Sequence, residues 1–456
     1  MESTLQYYST NLQTRAVNFC EALLTGMAPD RGLFMPEDIP QLSCEELDAF
    51  SQMEYDEVAY AVIRKFLHSD IPDHDLRTIV KDAYNYPVPL EQVYDKKYVM
   101  RLDRGPTASF KDFAARLMGR LMQYFLSQDD RRLLILTATS GDTGSAIANA
   151  FYGLDKIKVV ILFPEKEVTD RQRKQMTTLQ KNLQTIALDG KFDDCQALVK
   201  QAFADADLDD LHLSSANSIN IGRLLPQMIY YIYAFAKLSS GRTDDQIIFS
   251  VPSGNFGDLM GGLMARRMGL PVKKFVVATN ANDEFPNFVS TGKYHSISPS
   301  RNCLSSAMNV GHPSNLARLI ALYGGQMDET GTIISSADLD SIRKDIYAIS
   351  INDEETKAAI EHAYNTHRLV LEPHGAVGWS GLMHYLKDEP GDDSPEQVCV
   401  CLETAHPAKF PQVIQDVLSL DPKLPPSLEG LEDQEETFIT MKHDYDAFKR
   451  FLQENY

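Results

Sequence analysis

Residues 131–164 of the chain read RRLLILTATSGDTGSAIANAFYGLDKIKVVILFP. Two apolar runs, LLILTAT and IKVVILFP, flank a glycine-rich turn and a segment, GSAIANAFYG, that we expect to be helical. Apolar runs without polar alternation are typical of strands that are buried on both faces, as in parallel sheets. The stretch therefore predicts a strand–turn–helix–strand unit, and the fold class that it predicts is α/β.

Outward from this unit, apolar strands and helices continue to alternate. Further strands are predicted for KKYVMRL, LQTIALD, QIIFSVP, KKFVVAT and VCVC, and one long helix is predicted for RLLPQMIYYIYAFAKL (223–238). Residues 1–90 instead favour helices, such as YDEVAYAVIRKFL, and NYPVPLEQV punctuates their end. We therefore predict a helix-rich N-terminal domain over residues 1–90, followed by parallel sheets that helices cover.

The composition excludes several classes of partner. The 456 residues carry 44 Lys and Arg against 64 Asp and Glu, a formal net charge of −20, and such a surface repels nucleic acids and anionic membranes. We find neither an apolar run long enough to span a membrane nor a signal peptide at the start. The scattered cysteines form no CxxC pair, which favours buried free thiols over a metal or redox role. We therefore expect a cytoplasmic protein without a metal site; its cysteines are Cys20, Cys44, Cys195, Cys303, Cys399 and Cys401.

The stretch GPTASFKDFAAR (105–116) has a lysine where an apolar residue is expected. Pro106 and Ser109 indicate a helix start, and at helical spacing Lys111 shares its face with the alanine and methionine side chains of the next turns. An ammonium on that face is partly desolvated, which lowers the pKa of the amine and frees it as a nucleophile or a base. Alternatively, the long side chain reaches water from the first helical turn.

Two glycine-rich turns follow strands and begin helices. VPSGNFGDLMGGL (251–263) exposes backbone N–H groups at a helix start, an arrangement that suits a phosphate group. It matches neither GxGxxG nor GxxxxGK[ST], so a dinucleotide or a nucleoside triphosphate is not indicated. TATSGDTGSA (137–146) adds the hydroxyls of Thr139, Ser140 and Thr143, which suit a carboxylate or a second phosphate. Plain strand-to-helix connections are the alternative at both turns.

The segment SSANSINIGRLLPQ (214–227) brings three polar side chains to the start of a helix. Asn217 and Ser218 are ordinary capping residues, but together with Arg223 they also form a phosphate-binding pattern. Both interpretations remain open on this segment alone.

The segment LETAHPAKFP (402–411) follows the VCVC strand. Thr404 lies at the carboxyl end of that strand, where open α/β sheets bind ligands. His406 and Lys409 are chemically able to transfer protons, but for a histidine next to a proline in a loop a structural role is the simpler interpretation.

These motifs occur together and in one order, and in this combination the chain resembles the threonine synthase family in its longer bacterial and fungal form. The resemblance covers about residues 7–411 and implies the fold type II architecture of pyridoxal-phosphate enzymes. It implies a large α/β domain over 91–130 and 215–456 and a small one over 131–214. The matching segments are YYSTN, DRGLFMPE, GPTASFKDFAAR, TATSGDTGSA, NSINIGR, PSGNFGD, ATNANDEFPNF, AMNVGHPSNLARL, LEPHGAVG and TAHPAKFP.

The resemblance also implies roles for individual residues. Lys111 is the lysine that bonds covalently to pyridoxal 5'-phosphate and then transfers protons. Thr404 faces the pyridine nitrogen, and a hydroxyl there is expected to keep that nitrogen unprotonated. The cofactor's phosphate is assigned to Gly254, Asn255, Phe256, Gly257 and Asp258. The carboxylate and phosphate of the substrate are assigned to Thr139, Ser140, Thr143, Asn217, Ser218 and Arg223.

One residue departs from the wider fold. Relatives often have an asparagine at the position of Asp142, where it bonds the phenolate oxygen of the cofactor. Because a carboxylate repels a phenolate, Asp142 is not expected to be a cofactor ligand.

The reaction that the resemblance implies is the conversion of O-phospho-L-homoserine and water to L-threonine and phosphate, by a monomer or a homodimer. The nearest alternative is a phospho-lyase on the same scaffold, which yields 2-oxobutanoate and ammonia. A nicotinamide-dependent oxidoreductase is disfavoured because its glycine fingerprint is missing. A non-enzymatic binding module leaves the desolvated lysine unexplained.

Overall fold

The computed structural model describes residues 4–239 and 246–456. Its N-terminal part is mainly helical, as predicted. The elements there are β1 (Tyr7–Ser9), α1 (Phe19–Thr25), β2 (Phe34–Pro36), α2 (Cys44–Phe50), α3 (Tyr55–Leu67) and α4 (Asp73–Ala83).

Strands and helices then alternate. The elements up to residue 214 are β3 (Leu90–Tyr94), β4 (Lys97–Arg101), α5 (Lys111–Ser127), β5 (Leu133–Ala138), α6 (Asp142–Phe151), β6 (Ile157–Pro164), α7 (Asp170–Thr177), β7 (Leu183–Asp189), α8 (Phe192–Ala204) and β8 (Leu213–Ser214). The quoted stretch 131–164 thus contains β5, α6 and β6, which confirms the predicted strand–turn–helix–strand unit.

The remaining elements complete both sheets. They are α9 (Ile221–Leu224), α10 (Ile229–Leu238), β9 (Ile247–Pro252), α11 (Gly257–Arg267), β10 (Val272–Thr279), α12 (Glu284–Thr291), α13 (Leu316–Leu322), β11 (Gln326–Met327), β12 (Ile333–Ser335), α14 (Leu339–Asp345), β13 (Ile346–Ser350), α15 (Asp353–His367), α16 (Pro373–Asp388), β14 (Cys399–Glu403), α17 (Pro411–Leu418), β15 (Ile439–Lys442) and α18 (Tyr445–Asn455). Short 3-10 helices lie at Ala206–Leu211, Leu225–Met228, Ser306–Met308, Pro407–Lys409, Pro426–Leu428 and Leu431–Asp433.

Two parallel sheets organise the molecule, and they confirm the α/β fold class. The larger has the order β13-β10-β9-β14-β4-β3, and only its edge strand β3 is antiparallel to its neighbour. The smaller has the order β15-β7-β6-β5-β8 and is parallel throughout. Parallel strands end at the same edge of a sheet, so the loops after β4, β9 and β14 converge there.

The structure differs from the sequence-based expectations in three places. The helix predicted over 223–238 is confirmed over Ile229–Leu238 but is not continuous: Pro226 has no N–H to donate, and the chain before α10 forms α9 and a 3-10 turn. Helix α5 begins at Lys111 and not at Pro106 or Ser109, since Ser109 forms a β-bridge with Ala405.

The third difference concerns the C-terminal segment, which was assigned to the large domain with the rest of 215–456. Strand β15 pairs with β7 in the smaller sheet, and Phe448 and Leu452 of α18 pack into the same core as Cys195 of α8. This segment therefore covers the edge of the smaller sheet with apolar side chains. The other domain boundaries, at residues 90, 130 and 214, stay predictions.

Candidate functional site

Lys111 is the first residue of α5, and its side chain contacts the start of α6, the helix that follows β5 of the smaller sheet. Its Nζ is 3.8 Å from Oδ2 of Asp142, the first residue of α6, and 4.6 Å from the centre of the Phe110 ring. Only 13% of its side chain is exposed, and burial lowers the pKa of the amine. The side chain is thus desolvated, as the apolar helix face predicted, and does not extend into bulk water.

The backbone around Lys111 is fixed from both sides. The Phe110 N–H donates to the carbonyl of Thr404 at 2.8 Å, which ties the start of α5 to the end of β14. Phe113 is fully buried and packs edge-on against the rings of Tyr86 and Tyr230. These contacts hold the lysine at the carboxyl edge of the larger sheet.

A second buried lysine completes the charge balance at Asp142. Lys409 is fully buried, and its Nζ lies 2.7 Å from Asp142 Oδ1 and donates to the Thr107 carbonyl at 2.9 Å. Gln172 donates to the same Asp142 oxygen at 2.9 Å. Burial alone would raise the pKa of Asp142, but the charges of Lys409 and Lys111 outweigh it and hold that pKa well below its usual range.

Sequence reasoning missed this pair. It left the role of Lys409 undecided and excluded Asp142 as a cofactor ligand because a carboxylate repels a phenolate, but it did not predict that Lys409 pairs with Asp142. The signal that was available is the TAHPAKF motif, in which a lysine follows closely after the last strand of the larger sheet.

The loop between β9 and α11 forms a cradle of backbone N–H groups. Within the described part of the chain, the N–H groups of residues 254–257 donate to no protein atom. Phe256 has the left-handed φ of 61°, which turns successive N–H groups inward. The Asn255 side chain points into the protein instead, where it accepts from the Ser314 N–H at 2.6 Å. This geometry suits an anion held by backbone donors.

Gly254 allows this loop to approach its neighbours. A Cβ there would lie 2.8 Å from the Met308 Cα, so Gly254→Ala must displace the loop. Overpacking of about 1–3 kcal/mol predicts that cofactor affinity, measured by absorbance titration, falls roughly 5- to 150-fold. Gly391→Ala is the matched control, because nothing lies within 4 Å of a Cβ at that position. An unchanged affinity of Gly254→Ala for the cofactor would contradict the assignment of this loop to the cofactor's phosphate.

The three hydroxyl side chains in the turn between β5 and α6 differ in burial and in hydrogen bonding. Thr139 is buried, and its Oγ1 accepts from the N–H groups of Gly141 and Gly144 at 3.0 and 2.8 Å. Its hydroxyl therefore shapes the turn. Ser140 and Thr143 are half-buried beside it, and their assignment to the substrate stays a prediction.

Arg223 supplies a buried cation without a carboxylate partner at ion-pair distance among the described residues. Its Nη1 donates to the Ala216 carbonyl at 2.7 Å, but its Nε has no partner, and neither does Oδ1 of nearby Asn217. Burial lowers the pKa of Arg223 to about 10. A buried guanidinium with an unused donor fits an anionic ligand.

Ser218 joins the Arg223 segment to the cradle. Its Oγ accepts from Asn255 Nδ2 at 2.6 Å, so the two candidate anion sites are neighbours. The buried Lys111 is joined to Thr404, the residue after β14, through the Phe110 N–H, which donates to the Thr404 carbonyl. Two groups next to Thr404 were not identified as site residues from the sequence: the Thr404 hydroxyl donates to Glu372 at 3.1 Å, and Glu372 also accepts from the His374 N–H at 2.7 Å.

This fold and site define a pyridoxal-phosphate-dependent enzyme, and a family model described as such matches residues 86–404. Two further models, described as threonine synthase N terminus and threonine synthase, C-terminal, match residues 6–84 and 375–452. The chain belongs to the threonine synthase family.

Individual relatives agree over the full length. The threonine synthases of Serratia marcescens and Escherichia coli are each 36% identical to this chain over 449 residues, which cover 98% of it and 99% of the relative. A pyridoxal-phosphate-bound threonine synthase structure from Brucella melitensis is 35% identical, covers 99% of both chains and has a TM-score of 0.90. The yeast threonine synthase structure is 30% identical, covers 99% of this chain and 98% of that one, and has a TM-score of 0.88.

The residues present fit the family's cofactor, pyridoxal phosphate. The unpaired N–H groups of the cradle match a phosphate, and the buried Lys111 amine matches the aldehyde. The described residues include no helix that is long and apolar enough to cross a membrane. They also include no cluster of His, Cys, Asp and Glu that could hold a metal ion.

Proposed function

We propose that this chain converts O-phospho-L-homoserine and water to L-threonine and phosphate, the last step of threonine biosynthesis. The observation that carries the substrate assignment is the buried Arg223 with its unpaired Nε, next to the cradle. A cofactor phosphate accounts for one anion site, and a phosphorylated substrate accounts for the second. Full-length similarity to threonine synthases supports the same reaction.

The chain's own residues have separate tasks. Gly254, Asn255, Phe256, Gly257 and Asp258 hold the cofactor's phosphate, largely through their N–H groups. Bound pyridoxal phosphate supplies electron withdrawal from the substrate's α-carbon, which makes the α-proton acidic. Lys111 Nζ, an amine whose pKa burial lowers, takes that proton and returns protons later.

The remaining site residues orient the substrate. Arg223, with Asn217 and Ser218, binds its phosphate, and Ser140 and Thr143 bind its carboxylate, while Thr139 keeps their turn in shape. Over the whole reaction the γ C–O bond to phosphate breaks, the γ-carbon becomes a methyl group and the hydroxyl of water bonds to the β-carbon.

We further infer that the enzyme works in the cytoplasm, as a monomer or a homodimer. All six cysteines are free, which fits a reducing compartment. The proposed domain organisation has three parts. They are an N-terminal domain over 1–90, a large domain over 91–130 and most of 215–456, and a small domain over 131–214. The C-terminal segment that contains β15 and α18 is added to the small domain.

The test of the proposed function is a product assay. Purified enzyme, incubated with O-phospho-L-homoserine, is expected to form threonine and phosphate in equal amounts, quantified by mass spectrometry and a phosphate assay. Phosphate accompanied by 2-oxobutanoate and ammonia would instead identify the alternative, a phospho-lyase.

Arg223→Ala separates substrate binding from cofactor binding. A lost charge-assisted bond of about 1.5–3 kcal/mol predicts a roughly 10- to 150-fold rise in KM for phosphohomoserine. Cofactor affinity, measured by absorbance titration, is expected to stay unchanged. Arg131→Ala, at a side chain that is 51% exposed, is the matched control. Loss of cofactor with an unchanged KM would contradict the assignment of Arg223 to the substrate.

A further inference from the structure

A fully buried arginine, Arg318 of α13, bonds the segment that carries the substrate-phosphate residues. Its Nη1 donates to the Ser218 carbonyl at 3.0 Å, and its Nη2 donates to the Ile219 carbonyl at 2.7 Å. Its Nε donates to the carbonyl of Phe34 in β2 at 3.1 Å, which adds the N-terminal part of the chain to the same cluster. The mechanism above does not use Arg318.

The same guanidinium is linked to the cradle through Asn315. Arg318 Nη1 also donates to Asn315 Oδ1 at 2.7 Å, and Asn315 Nδ2 donates to the Asn255 carbonyl at 2.9 Å. A guanidinium only donates and a carbonyl only accepts, so the orientation of the Asn315 amide is unambiguous. Because Asn255 Nδ2 donates to Ser218 Oγ at 2.6 Å, these four residues form a closed ring of hydrogen bonds, the Arg318 ring.

The residue type indicates what this arginine contributes. Its acceptors are backbone carbonyls and one amide oxygen, and none of these carries a charge. Burial lowers the pKa of Arg318 to about 9, so the guanidinium is still charged near pH 7. An apolar side chain would fill this space without the cost of burying a charge. The guanidinium instead offers donors in a rigid plane, which bond several carbonyls in fixed directions.

The Arg318 ring fixes the backbone of both candidate anion sites. On the substrate side, Arg223 Nη1 donates to the Ala216 carbonyl, and Arg318 holds the carbonyls of residues 218 and 219 in the same short segment. On the cofactor side, Asn315 holds the Asn255 carbonyl within the cradle. A site whose backbone is already ordered loses less conformational entropy when its ligand binds, and its affinity is correspondingly higher.

We propose that Arg318 is a positioning residue that holds the cofactor-phosphate cradle and the substrate-phosphate segment in a fixed relation. It acts through the backbone of residues 218 and 219 and through Asn315. The proposal rests on the proposed function, which assigns the cradle to the cofactor and Arg223 to the substrate. Its loss is therefore expected to weaken the binding of both ligands.

The test is the variant Arg318→Met, whose apolar side chain donates no hydrogen bond. We expect the KM for phosphohomoserine and the dissociation constant of the cofactor each to rise roughly tenfold or more, because several bonds from a charged donor are lost. The KM is measured from initial rates at saturating cofactor, and the dissociation constant by absorbance titration. A folded Arg318→Met enzyme in which only one of these constants rises, or neither, would overturn the proposal.

A second buried arginine separates positioning from general stability. Arg116 is buried, and its Nε and Nη2 donate to the Ala83 and Asp82 carbonyls, both at 2.7 Å, at the end of α4. Arg116→Met is expected to lower the free energy of unfolding in urea and to leave the KM and the cofactor dissociation constant unchanged. If both constants rise as in Arg318→Met, they report destabilisation alone, and the proposal is overturned.

The two sides of the Arg318 ring can be tested separately. Asn315→Ala removes the bond to the Asn255 carbonyl but leaves the bonds of Arg318 to residues 218 and 219. The cofactor dissociation constant is expected to rise, while the KM at saturating cofactor stays near the wild-type value. A KM that rises as much as in Arg318→Met would overturn the proposal.

Two further variants keep the outcome decisive. If Arg318→Met does not fold, Arg318→Lys serves instead: one ammonium cannot reach all the acceptors of the guanidinium, so both constants should rise, and wild-type values overturn the proposal. Arg223→Ala in the same assays separates the two levels of failure. A raised KM in Arg223→Ala with an unaffected Arg318→Met contradicts only the role of Arg318. An unchanged KM in Arg223→Ala contradicts the substrate assignment and this proposal together.

Discussion

A Lys111→Ala variant is expected to fold normally and to lose turnover almost completely. Loss of the proton-transferring group alone costs about 10²- to 10⁴-fold. Loss of the amine that anchors the cofactor adds to this. Folding should survive because Asp142, the nearest carboxylate, keeps its contact with Lys409. The measurement is initial-rate threonine formation with saturating cofactor, together with circular dichroism of the variant.

The control for this variant is another lysine. Lys166→Ala removes a lysine whose side chain is 80% exposed, so its turnover should equal that of the wild type. A Lys111→Ala enzyme within tenfold of the wild-type rate would rule out the proton-transfer role of Lys111.

The second large effect is expected on stability. Lys409→Met keeps an unbranched, fully buried side chain but removes its amine, which leaves the buried Asp142 carboxylate without its closest cation. Removing one partner of a buried ion pair typically costs about 3–5 kcal/mol. We expect a loss of that size in the free energy of unfolding, measured by urea denaturation at pH 7.

A double variant identifies the cause of this loss. In Lys409→Met/Asp142→Asn no uncompensated charge remains, so most of the lost stability should return. A double variant as unstable as the single one would show that Lys409 stabilises the fold by packing and not by balancing Asp142.

Much of the fold and part of the site could be predicted from the sequence, because both depend on local patterns. The apolar runs around β5 and β6 predicted parallel strands without any knowledge of their partners. Lys111 was noticeable because its charge interrupts an apolar helix face. The glycine-rich turn at 251–263 was noticeable because such turns expose N–H groups at a helix start.

The rest could not be predicted because it depends on contacts between distant segments. The pairing of Lys409 with Asp142 joins residues 267 positions apart in the chain, and neither segment indicates that the other lies next to it. Glu372 is locally an ordinary N-cap, and its contact with Thr404 forms only because β14 brings Thr404 next to it. Pro226 is different, because its missing N–H was visible in the sequence and was outweighed by the apolar run around it.

The most direct test of the central claim is to locate the cofactor's attachment point. The site holds two buried amines, Lys111 and Lys409, on either side of Asp142. Holoenzyme is reduced with borohydride, digested and analysed by tandem mass spectrometry. We predict the phosphopyridoxyl group on Lys111, in the peptide that contains GPTASFKDFAAR. Finding it on Lys409, or on any other lysine, would contradict the account.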